Sequence, residues 1–167
     1  MHIHKLDVSF LRNRRNPAKY KKIMLDAGIG QGMKILDYGC GIGNYSVVAS
    51  GIIGDNGLIV AADNNAGMIK YAKEEIQTAG INNVKTLLVD KYVDIIENDF
   101  DFIFLIDVLH HMKNPREVIN YMYSHIKADS KLLIKFEHFK QSEIKEIISW
   151  CECKNSSHIM EDYWVLY

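Results

Sequence analysis

ILDYGCGIGN, residues Ile35 to Asn44, sets three glycines two apart directly behind a short apolar run. The run Lys34 to Asp37 reads as a strand. Gly39, Gly41 and Gly43 then allow positive φ and let a ligand touch the backbone. A helix is predicted near Tyr45 to Ser50. Strand, glycine turn and helix together open an α/β unit, and in such sheets ligands bind beyond the carboxyl ends of the strands.

The pattern extends outward in both directions. Upstream, Asn16-Pro17 reads as an N-cap and first helical residue, and that helix is predicted to stop at Gly28, suited to a left-handed C′ position. Downstream, Leu58 to Ala62 is a second strand. The helix after it places Met68, Ile69, Ala72, Ile76 and Ala79 on one face and ends at Gly80. Val84 to Val89 is a third strand. Phe102 to Ile106 is a fourth, nearly all apolar, as a strand covered on both faces should be. Asn114-Pro115 starts another helix, with Glu117 in capping-box position and Val118, Ile119, Met122, Tyr123 and Ile126 inward. Lys131 to Phe136 is a fifth strand. A helix from about Ser142 follows, and one or two strands close the tail. Alternation of this kind predicts an α/β, Rossmann-like, doubly wound and mostly parallel sheet with helices on both faces. Residues 17–167 are expected to form the domain, preceded by a segment, residues 1–16, that is a candidate lid.

Composition narrows the classes. The 167 residues suffice for one domain with a real core, and a net charge of −1 gives no global pull toward nucleic acid or membrane. No apolar run nears the ~20 residues that span a bilayer. MHIHKLDVSF holds no continuous apolar stretch, so no secretory signal is expected. Cys40, Cys151 and Cys153 show no paired framework, which reads as a reducing cytoplasm. Cys151 and Cys153 would share one face of a strand. Without a second ligand pair no metal site is expected.

Three consecutive strands end in carboxylates on one sheet edge: Asp37, Asp63 and Asp90. A carboxylate at Asp63, 20 residues after Gly43, can accept from two ribose hydroxyls. Asp90 can accept from an exocyclic adenine amine. A dinucleotide loop would read G-x-G-x-x-G, but the third glycine comes one residue early and Asn44 takes its place.

As an ordered series from Asn16 to Phe136, these features resemble the class I S-adenosylmethionine-dependent methyltransferases, in particular the type 11 methyltransferase-domain group. GMKILDYGCGIG is similar to the family's first motif, IVAADNNAGMI to its second-strand region, LLVD to its third, and DFIFLIDVLHHMKNP to its fourth strand and following helix. The resemblance implies S-adenosyl-L-methionine as cofactor. It implies that Asp37 and the Gly39-Cys40-Gly41 to Gly43 backbone face the methionine moiety, that Asp63 holds the ribose and Asp90 the adenine, that Asn64 lies against adenine, and that the Ile106 backbone meets the amino group. Ala128-Asp129-Ser130 stands where the family usually has a Gly-Gly turn.

Asp107, His110 and His111 follow the fourth strand, where this fold places the methyl acceptor, and are the candidate catalytic residues. A histidine there can take a proton from a hydroxyl or amine. Only Glu137 to Gln141 separates the fifth strand from the next helix, which leaves the acceptor site open or covered by something else. The N-terminal segment could serve, with Val8, Phe10 and Leu11 apolar and Arg12, Arg14 and Arg15 drawing an anion. The expected function is methyl transfer to a small molecule. The basic cluster from Arg12 to Lys22, with Lys19 and Lys21, keeps RNA open as an alternative acceptor, protein as another, and non-catalytic S-adenosylmethionine binding as a third. No Asn- or Asp-Pro-Pro-aromatic tetrapeptide follows the fourth strand and no cysteine precedes a proline, so the usual base-methylating signatures are missing.

Overall fold

In the computed structural model, which describes residues 12–13, 15–95, 98–153 and 155–167, the local signals act as their chemistry requires. Asn16 accepts from the Lys19 N–H at 3.0 Å, Pro17 occupies the first turn, and helix α1 runs Pro17–Ala27 to a left-handed Gly28. Strand β1 (Lys34–Tyr38) leads through the glycine turn into α2 (Asn44–Ile53). Then come β2 (Leu58–Asp63), α3 (Ala66–Thr78), β3 (Val84–Leu88), β4 (Phe100–Ile106), α4 (Pro115–Tyr123) and β5 (Ile126–Lys135). Helix α5 (Gln141–Ser149) and the strands β6 (Ser156–Met160) and β7 (Tyr163–Leu166) close the chain.

The sheet order is β3-β2-β1-β4-β5-β7-β6. The first five strands are parallel, and β7 and β6 add antiparallel. The winding reverses between β1 and β4, which opens a crevice at their carboxyl ends. Alternate strand residues feed two cores. Leu36, Val60, Ile103, Leu105, Leu132 and Ile134 pack with α4 and α5 through Val118, Ile119, Met122 and Ile144. Ile35, Ile59, Phe102, Phe104 and Leu133 pack with α1 and α2 through Ile23, Met24, Ala49 and Ile53. Burying the sheet on both sides supplies the main stabilisation, at roughly 1.5–3 kcal/mol per large apolar side chain.

Four local expectations need correction. Helix α4 stops at Tyr123, so Ile126 belongs to β5, where it pairs with Phe100. Strand β5 therefore begins before Lys131 and runs through Ala128-Asp129-Ser130, where Asp129 takes φ +68° beside a register irregularity at Phe100/Phe102. Glu117 accepts from the Tyr92 hydroxyl and the Asn114 side chain, instead of turning back to the N-cap backbone. Cys151 and Cys153 lie in a bend after α5, not in a strand, because the Cys151 thiol donates to Ile147 O and extends the last turn. The Val8, Phe10, Leu11 and Arg14 part of the candidate lid lies outside the described residues. Among the described residues no helix is long and apolar enough to cross a membrane.

Candidate functional site

A cavity of about 720 Å³ opens at the carboxyl ends of β1, β2 and β4, where the sheet order reverses. Gly39, Cys40, Gly41, Ile42 and Asn44 form one side. The turn is fixed by backbone bonds: the Gly39 and Cys40 N–H groups both donate to Ala62 O, at 2.8 and 3.0 Å. Gly39, Gly41 and Gly43 all take positive φ, and a Cβ on Gly39 would come within 2.6 Å of the Val108 side chain. The loop's backbone is thus open to a ligand because positive φ disfavours side chains along it and Val108 leaves no room for one at Gly39.

Asp63 ends β2 and ties the loop down. Its Oδ2 accepts from the Gly41 N–H at 2.9 Å and its Oδ1 from the Asn65 N–H at 2.8 Å. A carboxylate oxygen accepts more than one bond, so both remain able to receive hydroxyl donors from the cavity. Asn65 caps α3, while Asn64 and Met68 lie on the cavity wall.

Asp37 lies off the cavity wall. It is buried beneath the glycine loop at 3% exposure and accepts from Ser46 Oγ at 2.6 Å. Burial, reinforced by the Asp63 charge, pushes its carboxyl up to about 6 despite the Ser46 bond. Neither Asp37 nor Gly43 is among the residues that line the cavity. Asp90 lies past the end of β3, is exposed, and donates its N–H to Asp94 at 2.9 Å; it too stands off the wall.

The other end of the cavity follows β4. Ile106, Asp107, Val108, His111 and Met112 line it. Asp107 takes φ +55°, a left-handed backbone that Asp tolerates better than most residues. Its carboxyl is pushed up to about 6, by burial first and then by the neighbouring Glu137, against Lys135. His110 stands behind His111, their ring centroids 4.0 Å apart, with His138 a further ring at 4.9 Å from His110. Partial burial, then the neighbouring His111 and His138, hold the His110 imidazole below its ordinary value.

Five residues of this end escaped the sequence reading. Lys135, the last of β5, reaches Asp107 at 2.6 Å and Glu137 at 2.9 Å. Tyr20 of α1 stacks on Tyr45 of α2 at 4.2 Å between centroids, and the Tyr45 hydroxyl bonds to that of Tyr163 on β7. Applying the strand-end rule to β5 would have found Lys135. The tyrosines carry no local signal, since they meet only through the packing of three elements.

The basic cluster is largely consumed by acids. Arg12 and Arg15 both grip Glu75 on α3, Lys19 pairs with Glu161 and Lys22 with Asp26. Arg15 also donates to Asn44. Among the described residues no group of three or more His, Cys, Asp or Glu is placed to hold a metal ion.

Known proteins resemble this chain in sequence and fold. A family model described as a methyltransferase domain matches residues 29–165. A ubiquinone/menaquinone biosynthesis C-methyltransferase of Haemophilus ducreyi is 25% identical over 118 residues, covering 69% of this chain and 46% of that protein. The chain spans about half the length of the curated relatives it matches. A SAM-dependent methyltransferase structure from Aquifex aeolicus superposes with TM-score 0.76 at 22% identity, covering 95% of this chain and 96% of that one. A coclaurine N-methyltransferase bound to N-methylheliamine and SAH gives TM-score 0.63 at 26% identity, over 71% of this chain and 34% of that one.

Proposed function

We propose that this chain, which belongs to the methyltransferase-domain family, transfers the methyl group of S-adenosylmethionine to a small-molecule acceptor. The observation that carries the reading is the Asp63 carboxylate, which pins the Gly41 and Asn65 N–H groups and still faces the ligand cavity. The site fits the cofactor: Gly39 cannot carry a Cβ, Asp63 can accept from ribose hydroxyls, and Asn64 and Met68 offer a wall for a base. Ile106 lies at the same crevice, within reach of an amino group. In this reading Asp37 supports the loop from beneath, and Asp90 stands outside the set that touches the cofactor. A bound adenosylmethionine supplies a sulfonium methyl with a neutral leaving group.

The chain's own contribution is alignment and exclusion of water. Fixing acceptor and methyl in line can lower the barrier by roughly 7–11 kcal/mol in favourable systems. Proton removal falls to the groups beyond β4. Asp107 and His111 line the cavity, whereas His110 is one ring removed and acts only through His111. A small acceptor is favoured over RNA because four members of the basic cluster, Arg12, Arg15, Lys19 and Lys22, are engaged in intramolecular ion pairs. Residues 17–167 form the transfer domain in this reading.

Calorimetry tests the cofactor half. Adenosylhomocysteine should bind and NAD should not, and Asp63→Ala should weaken adenosylhomocysteine at least tenfold, about 1.4 kcal/mol, in a folded protein. Tighter binding of NAD, or unchanged affinity in folded Asp63→Ala, would overturn it. Transfer of labelled methyl from adenosylmethionine to fractionated cell extract separates catalysis from a binding-only role.

A further inference from the structure

The acceptor end of the cavity has the chemistry of an ammonium site. Asp107 and Glu137 flank the ammonium of Lys135, at 2.6 and 2.9 Å, so this cluster holds two carboxylates for one cation. Lys135 is 13% and Glu137 21% exposed, whereas the Asp107 side chain is 42% exposed and lines the cavity. The open carboxylate is therefore the one a ligand meets. Aromatic rings complete the enclosure: Tyr20 and Tyr45 stack on each other, and Lys135 Nζ lies 5.9 Å from the centre of the Tyr163 ring. A protein ammonium already sits between carboxylates and a tyrosine face, an arrangement that attracts alkylammonium ions.

Among the described residues, the other titratable and charged groups around Asp107 are these. Tyr45 from α2 and Tyr163 from β7 are held neutral, their hydroxyls pushed up by burial. Tyr20 faces from α1 through Tyr45. Lys19, on the cavity wall, is paired with Glu161 at 2.6 Å. His111 shares the cavity wall with Asp107, its ring tilted against that of His110, which meets His138 edge-on. A phenolate or carboxylate acceptor would meet like charge here, which costs affinity, while a cation would not.

We propose that the acceptor is a small amine that enters as an ammonium ion, is held by Asp107 and the tyrosine wall, and yields a proton to Asp107 before methylation. The proposal rests on the methyl-transfer reading above. The step balances. The N–H bond breaks, its electron pair stays on nitrogen, and the proton goes to an Asp107 carboxylate oxygen. That pair then forms the N–C bond as the S–C bond breaks, and the S–C pair remains on sulfur as a neutral thioether. Asp107 returns its proton to solvent. Lys135 and Glu137 are positioning residues that fix Asp107. A carboxyl raised to about 6, partly shielded from water and set beside Glu137, suits proton exchange near neutrality.

The test uses two probes of one size and opposite charge, benzyltrimethylammonium and benzenesulfonate, titrated calorimetrically with and without adenosylhomocysteine. The cation should bind at least tenfold more tightly. Asp107→Asn, which tolerates the same left-handed backbone, should abolish that preference and leave adenosylhomocysteine binding in place. Equal binding, or preference for the anion, would overturn the proposal. Failure of adenosylhomocysteine to bind would count against the cofactor reading alone, since the cation titration is read without it too. In turnover, N-methylbenzylamine should be methylated and 4-methylphenol not, with a rate that rises as pH passes about 6. Lys135→Gln should move that rise to higher pH, because the lost ammonium had favoured the Asp107 carboxylate. Transfer to the phenol alone, or a profile indifferent to Lys135, would refute it.

Discussion

Asp37 is a charge placed where charge is disfavoured. Its ordinary value of 3.8 is pushed to about 6, chiefly by burial. Between those two values the folded protein keeps a proton that the unfolded chain has released. Stability therefore falls as pH rises from about 4 through 6 and is lowest above that window. Two units correspond to roughly 3 kcal/mol, an upper figure for a buried group. Asp37→Asn retains an acceptor for Ser46 Oγ and removes the charge. The ligand-free variant is expected to be at least as stable as the parent at pH 7.5 and to show a flattened dependence between pH 4 and 6, read by urea unfolding. A variant less stable at pH 7.5 with the original pH dependence would show that Asp37 is not the titrating group. A carboxylate kept here under strain fits a cationic ligand group above the loop, as the proposed cofactor would bring. Residues of this kind are legible early, since Asp37, Gly39, Gly41 and Asp63 stand in one short, ordered series. Lys135 is legible only as the end of a strand, and Glu137 and the tyrosines are not, because nothing in their neighbours' spacing brings them together.

At the scale of elements, the start of α1 is fastened across the site. Asn16, Lys19 and Tyr20 line the cavity, and just before them Arg12 and Arg15 reach Glu75 on α3 at 2.6 and 2.7 Å. Partial burial of Glu75 pushes its carboxyl up, but the two guanidinium groups outweigh that and hold it below its ordinary value. Such a clasp contributes little to global stability, since partly exposed pairs are worth about 0–1 kcal/mol. We propose that its effect is on motion instead. Glu75→Gln should leave the melting temperature nearly unchanged while adenosylhomocysteine dissociates several-fold faster, measured by stopped-flow displacement. High salt should speed dissociation from the parent in the same way and from the variant less. Identical dissociation rates for the two proteins would show that the segment does not close the mouth.

For the whole molecule, the order β3-β2-β1-β4-β5-β7-β6 matters because it gathers the ends of β1, β2, β4 and β5 around one crevice. Loop, cap and strand ends then form a single binding surface shared by elements far apart in sequence. A ligand there should stabilise the entire fold. Adenosylhomocysteine at a hundred times its dissociation constant should add about 2.7 kcal/mol, raising the melting temperature by roughly 5–10 °C for a domain of this size. Differential scanning fluorimetry reads this directly. An equal shift from NAD, or none from adenosylhomocysteine, would contradict the proposed function.

The chain's apolar periodicity determined the alternation of strands and helices, because burial on both faces of a parallel sheet demands continuous apolar strands flanked by one-sided helices. Asn16-Pro17 and Asn114-Pro115 determined two helix starts, and the glycines of ILDYGCGIGN the ligand loop, since caps and positive φ are local properties. Tertiary structure decided what depends on contact between distant residues. It took β5 back to Ile126 through pairing with Phe100, and it drew Glu117 to Tyr92. It sank Asp37 beneath the loop and left Asp90 outside the cavity. It turned Arg12, Arg15 and Lys19 into ion pairs with Glu75 and Glu161. The acceptor end, made by Tyr20, Tyr45, Asp107, Lys135, Glu137 and Tyr163, exists only once α1, α2, β4, β5 and β7 have packed, because no local signal couples the ends of separate strands and helices, Tyr45 and Tyr163 lying 118 positions apart.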